Sequence, residues 1–150
     1  MKLLIPPPVQ GLIAGLAIWG LAKWFPEYAL TLPGQMPLAV AIAGSGLLID
    51  LVSVFAFLLA KTTVNPLSPQ NTNTLVVSGL YKISRNPMYL GMLLILTGWT
   101  IWLGNPLGVL PVFLFVVSIT YLQIKPEERA LEEKFGDSYR DYKQRVRRWI

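Results

Sequence analysis

Cysteine and histidine are both absent from this chain of 150 residues. Their absence excludes disulfide bonds, a cysteine nucleophile, a histidine general base and the usual zinc sites, so no metal centre is expected. Charged residues are also scarce: they make up 14% of the chain, whereas hydrophobic residues make up 53%. A soluble domain carries roughly 25% charged residues. The composition therefore indicates an integral membrane protein, built as a single domain over residues 1–150.

Four apolar segments stand out along the chain. They run from Val9 to Phe25, from Met36 to Ala60, from Met88 to Leu103 and from Leu107 to Ile124. Crossing a bilayer takes about 17–25 residues, so we predict an all-α integral membrane fold with about four transmembrane helices. Gly104-Asn105-Pro106 favours a tight turn, because Gly and Asn tolerate a positive φ and Pro stops a helix. The third and fourth helices should therefore form a helical hairpin.

Basic residues are distributed unevenly around these segments. With four crossings, twelve of the 13 Lys and Arg residues fall on the side of both termini, and Lys23 alone falls on the other. Cytoplasmic segments carry the excess of Lys and Arg, so both termini are predicted to be cytoplasmic, in a prokaryotic plasma membrane. The basic tail is expected at anionic lipid head groups and not on nucleic acid. A signal peptide is the alternative for the first segment, but no small-residue cleavage site follows it.

Two regions on the cytoplasmic side carry further predictions. The loop Lys61–Pro87 is rich in Pro and Asn, which suggests an ordered lid with a short extended piece at Leu75–Val77. The tail after the last apolar segment has one apolar stripe with helical spacing, which predicts a cytosolic amphipathic helix broken near Gly136. The stripe consists of Leu131, Phe135, Tyr139, Tyr142 and Val146. This helix could lie on the membrane or fold back over the bundle.

Polar residues are concentrated at the start of the third apolar segment, between Gly79 and Gly91. Polar groups at a membrane boundary are costly and are usually present for function. The simpler interpretation is a helix start, with Asn86 as the N-cap and Pro87 in the first turn. The functional interpretation adds that a helix N-terminus offers free N–H groups to an anionic ligand. Gly91 would let a ligand or a neighbouring helix approach closely.

Acidic residues supply the other candidates. Glu127 and Glu128 follow the last apolar segment and should lie on the same membrane side as the first cluster. Such a pair often only complements a helix N-terminus, but beside Arg85 and tyrosine rings it could bind an ammonium or sulfonium cation. Asp50 lies midway through the second segment. It either makes a structural hydrogen bond to another helix or lines a polar cavity.

Two motifs together resemble the isoprenylcysteine carboxyl methyltransferase and phospholipid methyltransferase superfamily. The first is Leu75-Val76-x-x-Gly79-x-Tyr81-x-x-x-Arg85-Asn86-Pro87-Met88-Tyr89-x-Gly91. The second is Glu127-Glu128-x-x-Leu131-x-x-x-Phe135-Gly136-x-x-Tyr139-x-x-Tyr142, followed by Val146-x-Arg148. The resemblance covers residues 61–150, which would form the catalytic part. It implies an integral membrane enzyme that uses S-adenosylmethionine in a pocket facing the cytosol.

The resemblance also assigns roles to individual residues. The cofactor-binding residues would be Tyr81, Arg85, Asn86, Pro87, Tyr89, Gly91, Glu127 and Glu128. The catalytic residues would be Arg148, Glu128 and Asn86, with Arg148 near the reacting groups. Many family members have His at the position of Asn86, and Asn cannot titrate near neutral pH. A histidine base is therefore excluded here.

The predicted reaction is in-line methyl transfer from S-adenosylmethionine to a lipophilic acceptor that enters from the bilayer. An isoprenylcysteine-like carboxylate or a thiolate would need no base, and Arg148 could orient the anion. An amine would need a glutamate to take its proton. The alternatives are a phospholipid amine N-methyltransferase and a non-catalytic membrane protein that binds lipid. No obligatory protein partner is indicated.

Overall fold

The computed structural model describes residues 5–59 and 75–150, and within these ranges every regular element is helical. The six α-helices are α1 (Pro7–Trp24), α2 (Gln35–Leu59), α3 (Pro87–Leu103), α4 (Val109–Ile119), α5 (Lys125–Phe135) and α6 (Asp137–Arg145). Short 3₁₀ turns at Pro26–Tyr28, Gly79–Lys82 and Pro106–Gly108 connect them. Residues 60–74, on which most of the predicted lid falls, lie outside the described residues. Leu75–Val77 have no regular secondary structure.

Two helical stretches are long and apolar enough to cross a membrane: Gln35–Ala56 and Pro106–Phe135. Helix α3 is apolar but shorter. Large apolar side chains are exposed along α1, α2 and α4, including Leu12, Leu51 and Phe113, which are about 60% exposed. Such surfaces suit a lipid environment and not water. The all-α class is confirmed for the described residues, and the two apolar stretches support a membrane protein, while the count of four transmembrane helices stays a prediction.

The predicted hairpin between α3 and α4 is confirmed, and its turn is fastened to the segment between α1 and α2. Gly104 adopts a φ of 66°, which the absence of a Cβ allows. Its carbonyl accepts a hydrogen bond from the Leu30 amide at 2.7 Å. Asn105 is buried, donates through Nδ2 to the Phe25 carbonyl at 2.8 Å and accepts from the Leu107 amide at 3.0 Å. These bonds hold the end of the bundle opposite the polar motifs.

Helices α2 and α3 approach each other through small residues. A Cβ at Gly46 would lie 2.5 Å from the carbonyl oxygen of Gly91, and one at Gly98 would lie 2.8 Å from the carbonyl oxygen of Ala39. Small residues at such crossings let two helix backbones make close van der Waals contact. Within Gly44-Ser45-Gly46, Gly46 alone makes this contact, because a Cβ at Gly44 would have no neighbour within 4 Å.

Helix α1 packs against both α3 and α4 around one apolar core. Its buried members are Ala14, Ile18, Tyr89, Leu96, Phe115, Ile119 and Ile124. Among the described residues, one pair of polar side chains crosses this interface: the Ser118 hydroxyl donates to Oε1 of the buried Gln10 at 2.7 Å. The pairing satisfies both side chains where water is excluded.

The last apolar segment continues without a break into the tail. A π-helical turn at Thr120–Ile124 joins α4 to α5. Gly136, with a φ of 53°, then ends α5 and redirects the chain into α6. The buried residues Tyr139, Tyr142 and Val146 pack with Leu75, Leu131 and Phe135 in a second apolar cluster. The predicted stripe and its break are confirmed, and the tail folds back over the bundle.

The close contact of α2 with α3 predicts a sharp difference between two neighbouring glycines. Gly46→Ala should destabilise the protein by about 1–3 kcal/mol, because its methyl group would press on the α3 backbone. Gly44→Ala should be neutral or stabilising, because alanine favours a helix and meets no neighbour there. Thermal unfolding in detergent gives the unfolding temperatures of both variants and of the wild-type protein. Equal unfolding temperatures for the two variants would contradict this packing.

Candidate active site

The end of the chain lies along the start of α3 and closes one end of the bundle. The Arg85 amide donates to the Arg147 carbonyl at 3.0 Å, and Nδ2 of Asn86 donates to the Arg148 carbonyl at 2.9 Å. A third bond comes from α6, where the Tyr142 hydroxyl donates to the Tyr81 carbonyl at 2.7 Å. These contacts join residues about 60 positions apart in the sequence. The two predicted motifs therefore meet at a single site.

Glu128 is the centre of this site, because it holds two arginines. Its Oε1 accepts from Nη2 of Arg85 at 2.8 Å and from Nε of Arg148 at 2.9 Å. Its Oε2 accepts from Nη2 of Arg148 at 2.7 Å, so the Arg148 pair is bidentate. The side chains of Arg85 and Glu128 are only 8% and 9% exposed. The stability of such a buried ion pair depends strongly on both partners, since either charge alone would be costly to bury.

Glu127 differs from its neighbour because its partners are neutral. Its Oε1 accepts from the Tyr89 hydroxyl at 2.8 Å and from Nε2 of Gln123 at 2.5 Å. Gln123 is fully buried in the π-helical turn, and such turns often occur at functional sites. Among the described residues, Glu127 makes no ion pair. At this site, Glu127 is therefore the glutamate that is not paired with an arginine.

Burial and charge shift the pKa values of the groups around the site. Hydrogen bonding to Glu128 raises the pKa of the Arg148 guanidinium, which keeps that group charged. Burial raises the pKa of Tyr142 to about 12 and raises that of Tyr139 as well. Burial also raises the pKa of the Tyr81 hydroxyl, and the nearby Tyr142, Glu127 and Asp50 raise it further. The tyrosines of the site are therefore neutral hydrogen-bonding groups at neutral pH.

The residues named at the start of α3 take positions that the sequence only partly predicted. Asn86 occupies the N-cap position as expected, but its side chain makes no capping bond and instead holds the tail. Pro87 is fully buried in the first turn. Gly91 faces Asp50 of α2, whose carboxyl group occupies the space where a Cβ would be. Gly91 was expected to admit either a ligand or a neighbouring helix, and the structure shows a neighbouring helix there.

Sequence reasoning missed several residues of the site. Gln123 was not singled out, although a polar side chain in an apolar segment, four positions before Glu127, is a usable signal. Ser84 is buried and accepts a hydrogen bond from the Asn86 amide at 3.1 Å. Trp149 packs against the core of the bundle. The local sequence around Ser84 and Trp149 does not predict these contacts, because the contacts depend on the folded-back tail.

One buried donor at the site has no partner in the described residues. Nε of Arg85 makes no hydrogen bond there, although the side chain is 8% exposed. An unmade hydrogen bond of a buried charged group costs about 1–3 kcal/mol or more. The site therefore offers one unused cationic donor at Arg85 and, at Glu127, one carboxyl group that is not paired with an arginine. This combination suits a ligand that carries both an anionic and a cationic group.

Comparison with known proteins identifies a family that this chain matches. Residues 34–138 match the family profile described as phospholipid methyltransferase. An uncharacterised protein of Haemophilus influenzae is 59% identical over 63 residues, which are 42% of this chain and all of that protein. No solved structure matches the chain significantly.

Two named relatives share about half of this chain. Protein-S-isoprenylcysteine O-methyltransferase B of Arabidopsis thaliana is 36% identical over 72 residues, 48% of this chain and 36% of the plant protein. Protein-S-isoprenylcysteine O-methyltransferase of Mus musculus is 37% identical over 76 residues, 51% of this chain and 27% of the mouse protein. The chain therefore matches about a third of the length of these relatives.

The two-arginine arrangement predicts a strong dependence of stability on Glu128. Glu128→Gln should lower the free energy of unfolding by about 3–5 kcal/mol, because Arg85 would stay buried without a counter-charge. The measurement is chemical or thermal unfolding in detergent. The matched control is Glu132→Gln, whose partners Arg140 and Lys143 lie in a more exposed network and whose loss should matter little. Similar losses for the two variants would contradict the central role of Glu128.

Proposed function

Because this chain belongs to the phospholipid methyltransferase family, we propose that it transfers a methyl group from S-adenosylmethionine to a lipophilic acceptor at the cytosolic membrane face. Membership confirms the resemblance predicted from the two motifs, at the level of a methyltransferase family of the membrane. The single observation that carries the proposal is the convergence of Arg85, Tyr89, Glu127 and Glu128 at one end of an apolar bundle.

The donor set at the site fits S-adenosylmethionine. Bound there, this cofactor would supply an electrophilic methyl group on a sulfonium sulfur, together with one ammonium and one carboxylate. Glu127 is suited to the cationic part, because its present partners are neutral side chains. The unused Nε of Arg85 is suited to the carboxylate. Tyr81, Asn86, Pro87, Tyr89 and Gly91 are proposed to shape the rest of this pocket.

Glu128 takes a different role from Glu127 in this proposal. Its two oxygens already accept three hydrogen bonds from arginines, so it positions Arg85 and Arg148 and does not reach a ligand itself. Arg148 is the more exposed member, with its side chain 35% exposed. It is the arginine of the pair with room to contact an acceptor. Asn86 holds the Arg148 carbonyl and thereby fixes the end of the tail.

The site contributes to catalysis by positioning and by keeping out water. Methyl transfer needs no covalent intermediate, and holding two reactants in line can lower the barrier by about 7–11 kcal/mol. The folded-back tail covers the start of α3 through the Arg147 and Arg148 carbonyls, which accept hydrogen bonds from Arg85 and Asn86. An acceptor would reach this site from the bilayer, between helices whose outer surfaces are apolar.

The class of acceptor was expected to be a carboxylate or thiolate, with Arg148 orienting the anion. The bidentate pair with Glu128 weakens that expectation, because it already neutralises the guanidinium. An amine acceptor, as in phospholipid N-methylation, is the second candidate, and the match to the phospholipid methyltransferase profile favours it.

Cofactor binding is the first test of the proposal. The purified protein should bind S-adenosylmethionine and S-adenosylhomocysteine saturably in calorimetry. Glu127→Gln should weaken binding by about tenfold or more, since a hydrogen bond between charged groups contributes about 1.5–3 kcal/mol. Glu133→Gln, an exposed glutamate on the same helix, should bind normally. The proposal fails if the wild-type protein binds neither compound in detergent or in reconstituted bilayers.

The Arg148 side chain should matter more for turnover than for cofactor affinity. Arg148→Ala should reduce the rate of S-adenosylhomocysteine formation by about 100-fold, the size of effect that follows the loss of one preorganised hydrogen-bond donor in other enzymes. Glu128 keeps Arg85 in this variant, so the fold should persist. The control is Arg147→Ala, because that side chain is exposed while its backbone carbonyl still accepts from Arg85. A loss confined to cofactor affinity would refute the assignment of Arg148 to the reacting groups.

A further inference from the structure

Asp50 is an acidic residue within the apolar stretch of α2, and it lies on the face of that helix that contacts α3. The stripe that carries it consists of Ala39, Ala43, Gly46, Asp50 and Ser53, at helical spacing. Its carboxyl group rests against Gly91, one turn along α3 from the buried Pro87. A larger residue than glycine at position 91 could not coexist with this carboxyl group. The missing side chain of Gly91 therefore leaves the space that the Asp50 carboxyl group fills between α2 and α3.

The surroundings of Asp50 connect it to the candidate active site. Ser53, one turn further along α2, is fully buried and hydrogen-bonds to the side chain of Tyr81. Negative charge on Glu127 or Asp50 would raise the pKa of the Tyr81 hydroxyl, so both carboxyl groups lie within electrostatic range of Tyr81. Asp50 is thus placed beside the proposed cofactor pocket, against Gly91.

Asp50 differs from the two glutamates in what it binds. Glu128 is paired with two arginines, and Glu127 accepts from Tyr89 and Gln123. Oδ1 of Asp50 is buried and has no hydrogen-bond partner in the described part of the chain. An unpaired acid in a membrane is costly and is rarely kept without a function. Of the three carboxyl groups, Asp50 is the one left without a partner for a buried oxygen.

We propose that Asp50 is the acceptor-side catalytic residue, and that it binds the amine of a lipophilic primary amine and takes its proton during methyl transfer. The inference rests on the proposed function, which it deepens by naming the acceptor class. An ammonium group would supply the counter-charge and the hydrogen-bond donor that Oδ1 lacks. A carboxylate or thiolate acceptor would instead place a second negative charge beside Asp50 in a medium of low dielectric constant, which is unfavourable.

The proposed step balances in atoms and charge. The bound ammonium loses one proton to the Asp50 carboxylate, and the freed lone pair of nitrogen forms the new bond to the methyl carbon. The carbon–sulfur bond breaks, and its electron pair stays on sulfur, which becomes a neutral thioether. The product is a methylated ammonium, and Asp50 later releases its proton to water. No oxidant, reductant or metal ion is needed.

The first experiment compares acceptors of one chain length. Wild-type protein in detergent should form S-adenosylhomocysteine with octadecylamine, but not with octadecanoate or octadecanethiol. Asp50→Asn should lower turnover of octadecylamine by about 100-fold, the usual contribution of a positioned proton acceptor, while binding of S-adenosylmethionine stays within about twofold. Asp141→Asn, at an exposed position on α6, is the matched control. Vesicles of phosphatidylethanolamine, compared with phosphatidylglycerol, show whether a lipid head group can supply the amine.

A second experiment needs neither turnover nor the cofactor. A hydrophobic carbodiimide modifies membrane-embedded carboxyl groups, and peptide mass spectrometry locates the adduct. Octadecyltrimethylammonium, which mimics a methylated product, should protect Asp50 from modification, whereas octadecanoate should not. This result decides the inference even if Asp50→Asn does not fold. Protection by the ammonium compound alone would support it, and equal labelling with both compounds would overturn it.

The outcomes separate the two levels of the proposal. Absence of S-adenosylmethionine binding by the wild-type protein would overturn the methyltransferase function, whatever the labelling shows. Cofactor binding with methylation of octadecanoate or octadecanethiol, and none of octadecylamine, would overturn the role of Asp50 and keep the enzyme. Full activity of Asp50→Asn on octadecylamine would do the same.

Discussion

The ion cluster of Glu128 with Arg85 and Arg148 is the constraint on which the site depends. It joins the start of α3 to α5 and to the end of the chain, three parts that no local interaction brings together. Arg85 and Glu128 are almost wholly buried, so either charge would be costly to bury without the other. The same contacts place Glu127, Tyr89 and Gln123 beside one another, at the depth where an apolar bundle meets the polar tail.

The contact of α2 with α3 supplies the other half of the arrangement. Gly46, Gly91 and Gly98 bring the two backbones together, and this close approach sets the carboxyl group of Asp50 against Gly91. Small residues therefore do more here than pack helices: they bring an acid on one helix within electrostatic range of Tyr81 and the other site residues. In the proposed chemistry, the residues beside the tail bind the cofactor. The contact of α2 with α3 supplies Asp50, which binds the acceptor.

Much of the architecture could be predicted from residue patterns, because those patterns act over short distances. The four apolar segments, the turn at Gly104-Asn105-Pro106 and the break at Gly136 each follow from local preferences of the backbone. Asn86 was also expected at a helix start, and it lies there. Its side chain was misjudged, since the tail offers it the Arg148 carbonyl in place of a cap. Glu127 and Glu128 were treated as one acidic pair, although adjacent residues on a helix point to different neighbours.

The sequence by itself determined that this is an α-helical membrane protein whose polar motifs flank a hairpin, because hydropathy, turn residues and motif spacing are properties of neighbouring positions. Only the tertiary structure decided which partners surround each carboxyl group. Glu128 is held by arginines from two distant segments, Glu127 is left with neutral donors, and Asp50 keeps a buried oxygen without a described partner. The charge environment of each acid is set by residues tens of positions away, so it exists only once the helices and the tail have packed.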